Sequence, residues 1–172
     1  MRQSRLGIVV WTVCLLMSIG TGAFSAAVVE PAGLGLLENL AGEWVEMDSQ
    51  GHPTTRVVSV LALTSGGTAL REVLFPGTDH EMISMYHLDQ GDLLLSHYCV
   101  LGHQVRYRAR FENDKKIVFE CAGGTNLKSE NDRHMHRGTL TILDNDHIQT
   151  EWLQFENGVQ NETVTFKLAR KK

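Results

Sequence analysis

Between positions 104 and 111 the chain alternates strictly, Val105, Tyr107, Ala109 and Phe111 being interleaved with Gln104, Arg106, Arg108 and Arg110. A period of two is the mark of a strand with one buried and one wet face. The alternation returns at 115–121, where Ile117, Phe119 and Cys121 oppose Lys116 and Glu120. It returns again at 159–170, where Val164, Phe166 and Leu168 oppose Thr163, Thr165 and Lys167. Stretches at 43–48, 54–63, 68–75, 81–88, 92–100, 133–143 and 147–156 complete a set of ten predicted strands. Turn signals separate them at Ser65-Gly66-Gly67, Pro76-Gly77, Gln90-Gly91, Asn113-Asp114, Asp144-Asn145 and Asn157-Gly158. Links this short join antiparallel neighbours. The one helical pattern, at 34–40, lies just ahead of the first strand, and the polar stretch 123–132 reads as a mobile loop. Strands laid out in sequence as an open sheet would leave two unpaired edges. The pattern therefore predicts an all-β fold, an up-and-down antiparallel β-barrel of about ten strands with a short N-terminal helix.

The first residues call for a separate reading. Arg2 and Arg5 make a basic start, residues 6–19 are almost wholly apolar, and 20–27 are mostly small, with Ala23 and Ser25 suitably spaced for cleavage after Ser25. This predicts a signal peptide at 1–25, an N-terminal segment at 26–40 carrying the short helix, and a barrel domain at 41–172. The apolar run is shorter than the roughly 20 residues of a membrane span. No stable span is expected after cleavage, and the expected location is periplasmic or secreted. Of 16 Lys and Arg, Arg2 and Arg5 leave with the leader, so 14 basic groups face 20 acidic ones and the net charge moves from −4 to −6. An acidic domain with no basic run longer than Arg170-Lys171-Lys172 argues against nucleic acid as a partner. Of the cysteines, Cys99 and Cys121 remain. An oxidising compartment permits a disulfide between them, but a whole predicted strand separates them, and two small buried thiols are the alternative.

Gly42-Glu43-Trp44 stands at the junction of the helix and the first strand, and Arg170 lies on the last strand on the face of Phe166 and Leu168. This pairing resembles the G-x-W signature and closing arginine of lipocalins and related calycin barrels. The resemblance implies a guanidinium stacked on the indole where the two chain ends meet, with Gly42, Trp44 and Arg170 as structural residues. Phe75-Pro76-Gly77, Met85-Tyr86-His87-Leu88-Asp89, Ser96-His97-Tyr98-Cys99 and His134-Met135-His136 are similar to segments of an exported bacterial lipocalin-like family. The likeness covers roughly 37–170.

A closed barrel of this size encloses room for one small ligand. On the strand at 133–143, His134, His136, Gly138, Leu140 and Ile142 share a face whose apolar end marks it as interior. Two-residue turns at Asp144-Asn145 and Asn157-Gly158 would set His136 opposite Leu153 and Gly138 opposite Glu151, then Glu151 opposite Val164 and Leu153 opposite Glu162. Gln149, Glu151, Leu153 and Phe155 would then face inward and Trp152 outward, unless a bulge reverses them. Across the barrel, Leu93, Leu95, His97 and Cys99 form an apolar face, and the Gln90-Gly91 turn brings Met82, Ser84 and Tyr86 onto it.

These placements predict a small, largely apolar ligand walled by Leu95, Tyr107, Phe111, Phe119, Leu153 and Phe166, its polar end oriented by His97, His134, His136 and Glu151. No resident cofactor is required. The first alternative is a metal or haem held by His134 and His136 with His97 or Glu151, since His-x-His on a strand puts two ligands on one side. The second is a small enzyme using His/Glu acid–base chemistry. No catalytic residue is assigned, because G-x-S-x-G, Walker and Cys-x-x-Cys sequences are missing and His80-Glu81-Met82-Ile83-Ser84 lacks the second histidine of a zinc peptidase. Against all three stands mutual satisfaction of buried His, Glu and Tyr by one another. Arg106, Arg108 and Arg110 read as a solvated outer stripe.

Overall fold

The computed structural model describes residues 32–172; the predicted leader at 1–25 lies outside them. A short helix, α1 (Ala32–Glu38), precedes ten strands: β1 (Gly42–Met47), β2 (Pro53–Thr64), β3 (Ala69–Leu74), β4 (Met82–Asp89), β5 (Asp92–Tyr98), β6 (Gln104–Asn113), β7 (Lys116–Thr125), β8 (His134–Ile142), β9 (His147–Glu156) and β10 (Val159–Arg170). Each strand pairs antiparallel with the next, and β1 pairs with β10, so the sheet closes into a barrel without edges. The Gln90-Gly91 and Asn157-Gly158 turns have φ of 51° and 95°, and 55° and 76°. Two left-handed central residues match the twist of the flanking strands in a two-residue hairpin, and they set Asp89 opposite Asp92 and Glu156 opposite Val159.

The closing seam is the one implied by Gly42-Glu43-Trp44 and Arg170. Trp44 pairs directly with Arg170, whose guanidinium carbon lies 4.5 Å from the centre of the buried indole. The guanidinium also donates to the carbonyls of Ala41 (2.8 Å), Asn39 (2.8 Å) and Asn145 (3.1 Å), while the indole N–H donates to Leu40 O (2.9 Å). Gly42 has φ of +140°, and a Cβ there would stand 2.9 Å from Arg170 Nη1. Glycine is thus required twice, by backbone conformation and by the arginine's approach.

Leu34, Leu37 and Leu40, on α1 and the turn after it, are buried in the core and plug the barrel at the seam end. Gly33 lets the helix seat closely, since a Cβ there would lie 3.0 Å from Leu93 and 3.2 Å from Phe111. The arginine stripe on β6 faces outward among acids, Arg108 bonding Asp92 and Arg110 lying beside Glu112 and Glu120. The 123–132 stretch is tethered: β7 runs on to Thr125, Leu127 packs against the core, Asn126 donates to Gly102 O and Asp132 accepts from the Lys128 N–H.

The strand pairing around β9 differs from the sequence expectation. Residues 143–147 form a wider turn closed by the Leu143 N–H to His147 O bond, setting Ile142 opposite Ile148 and Gly138 opposite Trp152. A bulge at His136 then restores the expected pairing of His134 with Phe155. A second irregularity at Asn161 shifts the β9–β10 register, so Val164, Phe166 and Leu168 face Trp152, Thr150 and Ile148. Because a one-residue slip turns every side chain over, Ile148, Thr150 and Trp152 line the interior, and Gln149, Glu151 and Leu153 fall outside.

Candidate functional site

The end of the barrel opposite α1 holds an apolar cavity of about 150 Å³. It is lined by Leu74 and Phe75 after β3, Met82 on β4, His97 and Cys99 on β5 and beyond, Met135 on β8, Trp152 on β9, and Val164 and Phe166 on β10. Leu74, Trp152 and Phe166 also bound a deeper space of about 30 Å³, which ends on Leu37 and Leu40 at the plug.

His97 is the ionisable side chain common to this cavity and the buried core. Its Nδ1 lies 3.0 Å from Ser84 Oγ, and its ring stacks on Trp152 with centroids 5.9 Å apart and planes inclined by 30°. Burial, reinforced by the charge of nearby His103, pushes its pKa down to about 4. The imidazole is therefore neutral at physiological pH. A serine hydroxyl can donate or accept, so either tautomer is tolerated, and Nε2 can meet a donor or an acceptor.

Glu72, Ser84 and His97 form one row across β3, β4 and β5, each opposite the next. The buried Glu72 carboxyl accepts from Ser59 Oγ (2.7 Å) and Tyr86 Oη (2.6 Å), its side-chain partners among the described residues. Desolvation raises its pKa, the two hydroxyls only partly opposing that effect. The same burial, with the carboxyl beside it, holds the Tyr86 phenol well above its ordinary range. The signal for Glu72 is present in the chain: a carboxylate alternates with Leu70 and Leu74 on an apolar face.

The residues expected to form one site divide into four groups. His97 and Phe166 line the cavity, and Tyr107 meets Trp152 edge-on (5.8 Å) while donating to Met135 O (2.6 Å). Leu95 and Phe119 are buried deeper in the core, while Phe111, 41% exposed, lies beside Gly33 at the plugged end and does not reach the cavity. Glu151 and Leu153 lie on the outer face, so neither joins His97. His134 and His136 flank Met135 but line a separate groove, together with Cys121, instead of the cavity. They meet there with His134, itself buried, placing its Nε2 3.0 Å from His136 Nδ1, and His136 stacks on Phe155 at 4.2 Å. Cys99 and Cys121 are both free thiols, separated by β6 in the strand order.

Trp152 and Met135, which sequence reasoning did not place in the cavity wall, replace Glu151 and Leu153 there. Gly138 marks the indole's position, because the strand pairing puts them directly opposite. No protein-family model matches the chain, and a search of curated proteins finds no match. Fold and site define a closed ten-strand antiparallel β-barrel, compatible with a lipocalin-like fold, whose open-end cavity could hold a ligand. Among the described residues no helix is long and apolar enough to cross a membrane.

Proposed function

We propose that this chain is an exported lipocalin-like protein that binds a small, largely apolar molecule at the open end of its barrel. The observation that carries the reading is the apolar cavity with the neutral His97 imidazole as its oriented polar contact. An apolar cavity of about 150 Å³ accepts a benzene-sized molecule, so the occupant is compact and carries at most one polar group toward His97. Leu74, Phe75, Met82, Val164 and Phe166 supply the apolar wall, and their burial by the ligand drives binding. Export is supported by the basic, apolar and small-residue order of 1–25. The test is extraction of the purified protein, expressed as the full chain, followed by mass spectrometry. A small apolar compound retained by the natural chain and missing from Val164→Phe supports the reading; identical extracts contradict it. Fractionation of cells expressing the chain with and without residues 1–25 tests export.

A further inference from the structure

We propose that Cys121, His134 and His136 form a binding site for a borderline-soft transition-metal ion, typified by Zn²⁺, where β7 and β8 part company, in a groove distinct from the apolar cavity. One ligand atom from each, the Cys121 thiol sulfur and a ring nitrogen of each histidine, lie within 4.8 Å of one another. The three come together because of the bulge at His136 and the end of the β7–β8 pairing at Glu120 and Arg137, beyond which β7 continues as the wall of a groove. That groove, about 260 Å³, runs past Gly123, Gly124, Leu127, Ser129 and Glu130 and has the three side chains on its floor.

The donor chemistry is already arranged. His134 Nδ1 lies 2.7 Å from the Asp132 carbonyl, which can only accept, so Nδ1 carries the hydrogen and the Nε2 lone pair is presented. An imidazole held by its other nitrogen on a backbone carbonyl is the usual orientation of a metal-ligating histidine. That Nε2 faces His136 Nδ1 at 3.0 Å. Two nitrogens each bound at about 2.0–2.1 Å in a tetrahedral shell are roughly 3.3 Å apart, so only a small separation of the rings is needed. Phe155 stacks on His136 and limits its rotation. A thiolate with two imidazoles selects zinc or copper over magnesium or calcium, which take oxygen ligands. Three protein ligands would leave a fourth position to water. On binding, the sulfur–metal bond forms as the thiol proton leaves to solvent, and the hydrogen between the two rings moves to His136 Nε2, with no change of oxidation state.

Cobalt(II) is the probe, because a cobalt–thiolate bond has its own near-ultraviolet charge-transfer band. Reduced, tag-free full chain is titrated with Co²⁺ and then Zn²⁺. The expected result is one cobalt per chain, the thiolate band, and its loss on Zn²⁺ addition. Cys121→Ser abolishes the band, and His136→Gln weakens uptake by at least about tenfold, with the far-ultraviolet circular dichroism of the barrel unchanged. Both positions are only half-buried, so these variants are expected to fold. Absence of stoichiometric uptake by the natural chain, a band that survives Cys121→Ser, or unaltered affinity in His136→Gln overturns the proposal.

Discussion

Gly138 and Trp152 stand opposite each other on β8 and β9, and the indole fills the space that a side chain at 138 would need: a Cβ there would lie 2.6 Å from Trp152 Cζ3. The glycine admits the indole to the interior, where it stacks on His97 and meets Tyr107 edge-on. Gly138→Ala is expected to drive the ring from this seat. Overpacking of this kind costs about 1–3 kcal/mol, measured as a lower urea midpoint, with the tryptophan near-ultraviolet circular dichroism reduced.

The seam between the first and last strands depends on a fork of donors. One Lys ammonium cannot lie flat on the Trp44 ring and also reach the carbonyls of Asn39, Ala41 and Asn145. Arg170→Lys is therefore expected to lose about 2 kcal/mol, from the stacked cation and the missing hydrogen bonds. Lys171→Gln, which removes an exposed pair with Glu43, is expected to cost less than about 1 kcal/mol. Chemical denaturation of both variants checks the contrast.

Acid should weaken the fold through His97. Its pKa falls from 6.5 to about 4 on folding, so the unfolded chain takes up the proton first as pH drops. The contribution is fully present above 6.5, is lost as pH falls through the interval to about 4, and changes no further below it. A difference of that size corresponds to about 3 kcal/mol. His97→Gln is expected to flatten this acid limb in denaturation series at stepped pH.

Glu72 acts in the opposite direction. Its folded pKa is raised above the ordinary 4.5, so its stabilising contribution is complete below that value and declines as pH rises through the folded pKa. Glu72→Gln removes the charge that burial penalises while keeping the side chain's shape. Its stability relative to the natural chain should therefore rise with pH. A gap that stays constant over the same pH series would show that the carboxyl does not titrate as its burial requires.

The strand set and its connections were legible because alternation and turn chemistry act locally. Gln90-Gly91 and Asn157-Gly158 each fix a hairpin, whereas the seam was expected from the resemblance of Gly42, Trp44 and Arg170 to a calycin closure. Facing was legible on β5, β6 and β10 for the same reason: Leu95, Tyr107 and Phe166 lie on the apolar side of stretches whose alternation runs unbroken around them. It was lost on β8 and β9, where the wide 143–147 turn and the bulge at His136 each displace the pairing by one residue. No local pattern marks an inserted residue, yet one is enough to exchange Glu151 and Leu153 for Trp152 and to take His134 and His136 out of the cavity lining. Glu72 went unnoticed because its hydroxyl partners, Ser59 and Tyr86, come from different strands.

Titration of the purified protein with a small apolar aromatic such as toluene, followed by calorimetry and by Trp152 fluorescence, tests the cavity most directly. The expected result is saturable one-to-one binding by the natural chain, abolished by Val164→Phe and unchanged by His136→Gln, a position that lines the other groove and not the cavity. Binding that is absent from the natural chain, or that persists unaltered when Val164 is replaced by Phe, would contradict a ligand site at the open end of the barrel.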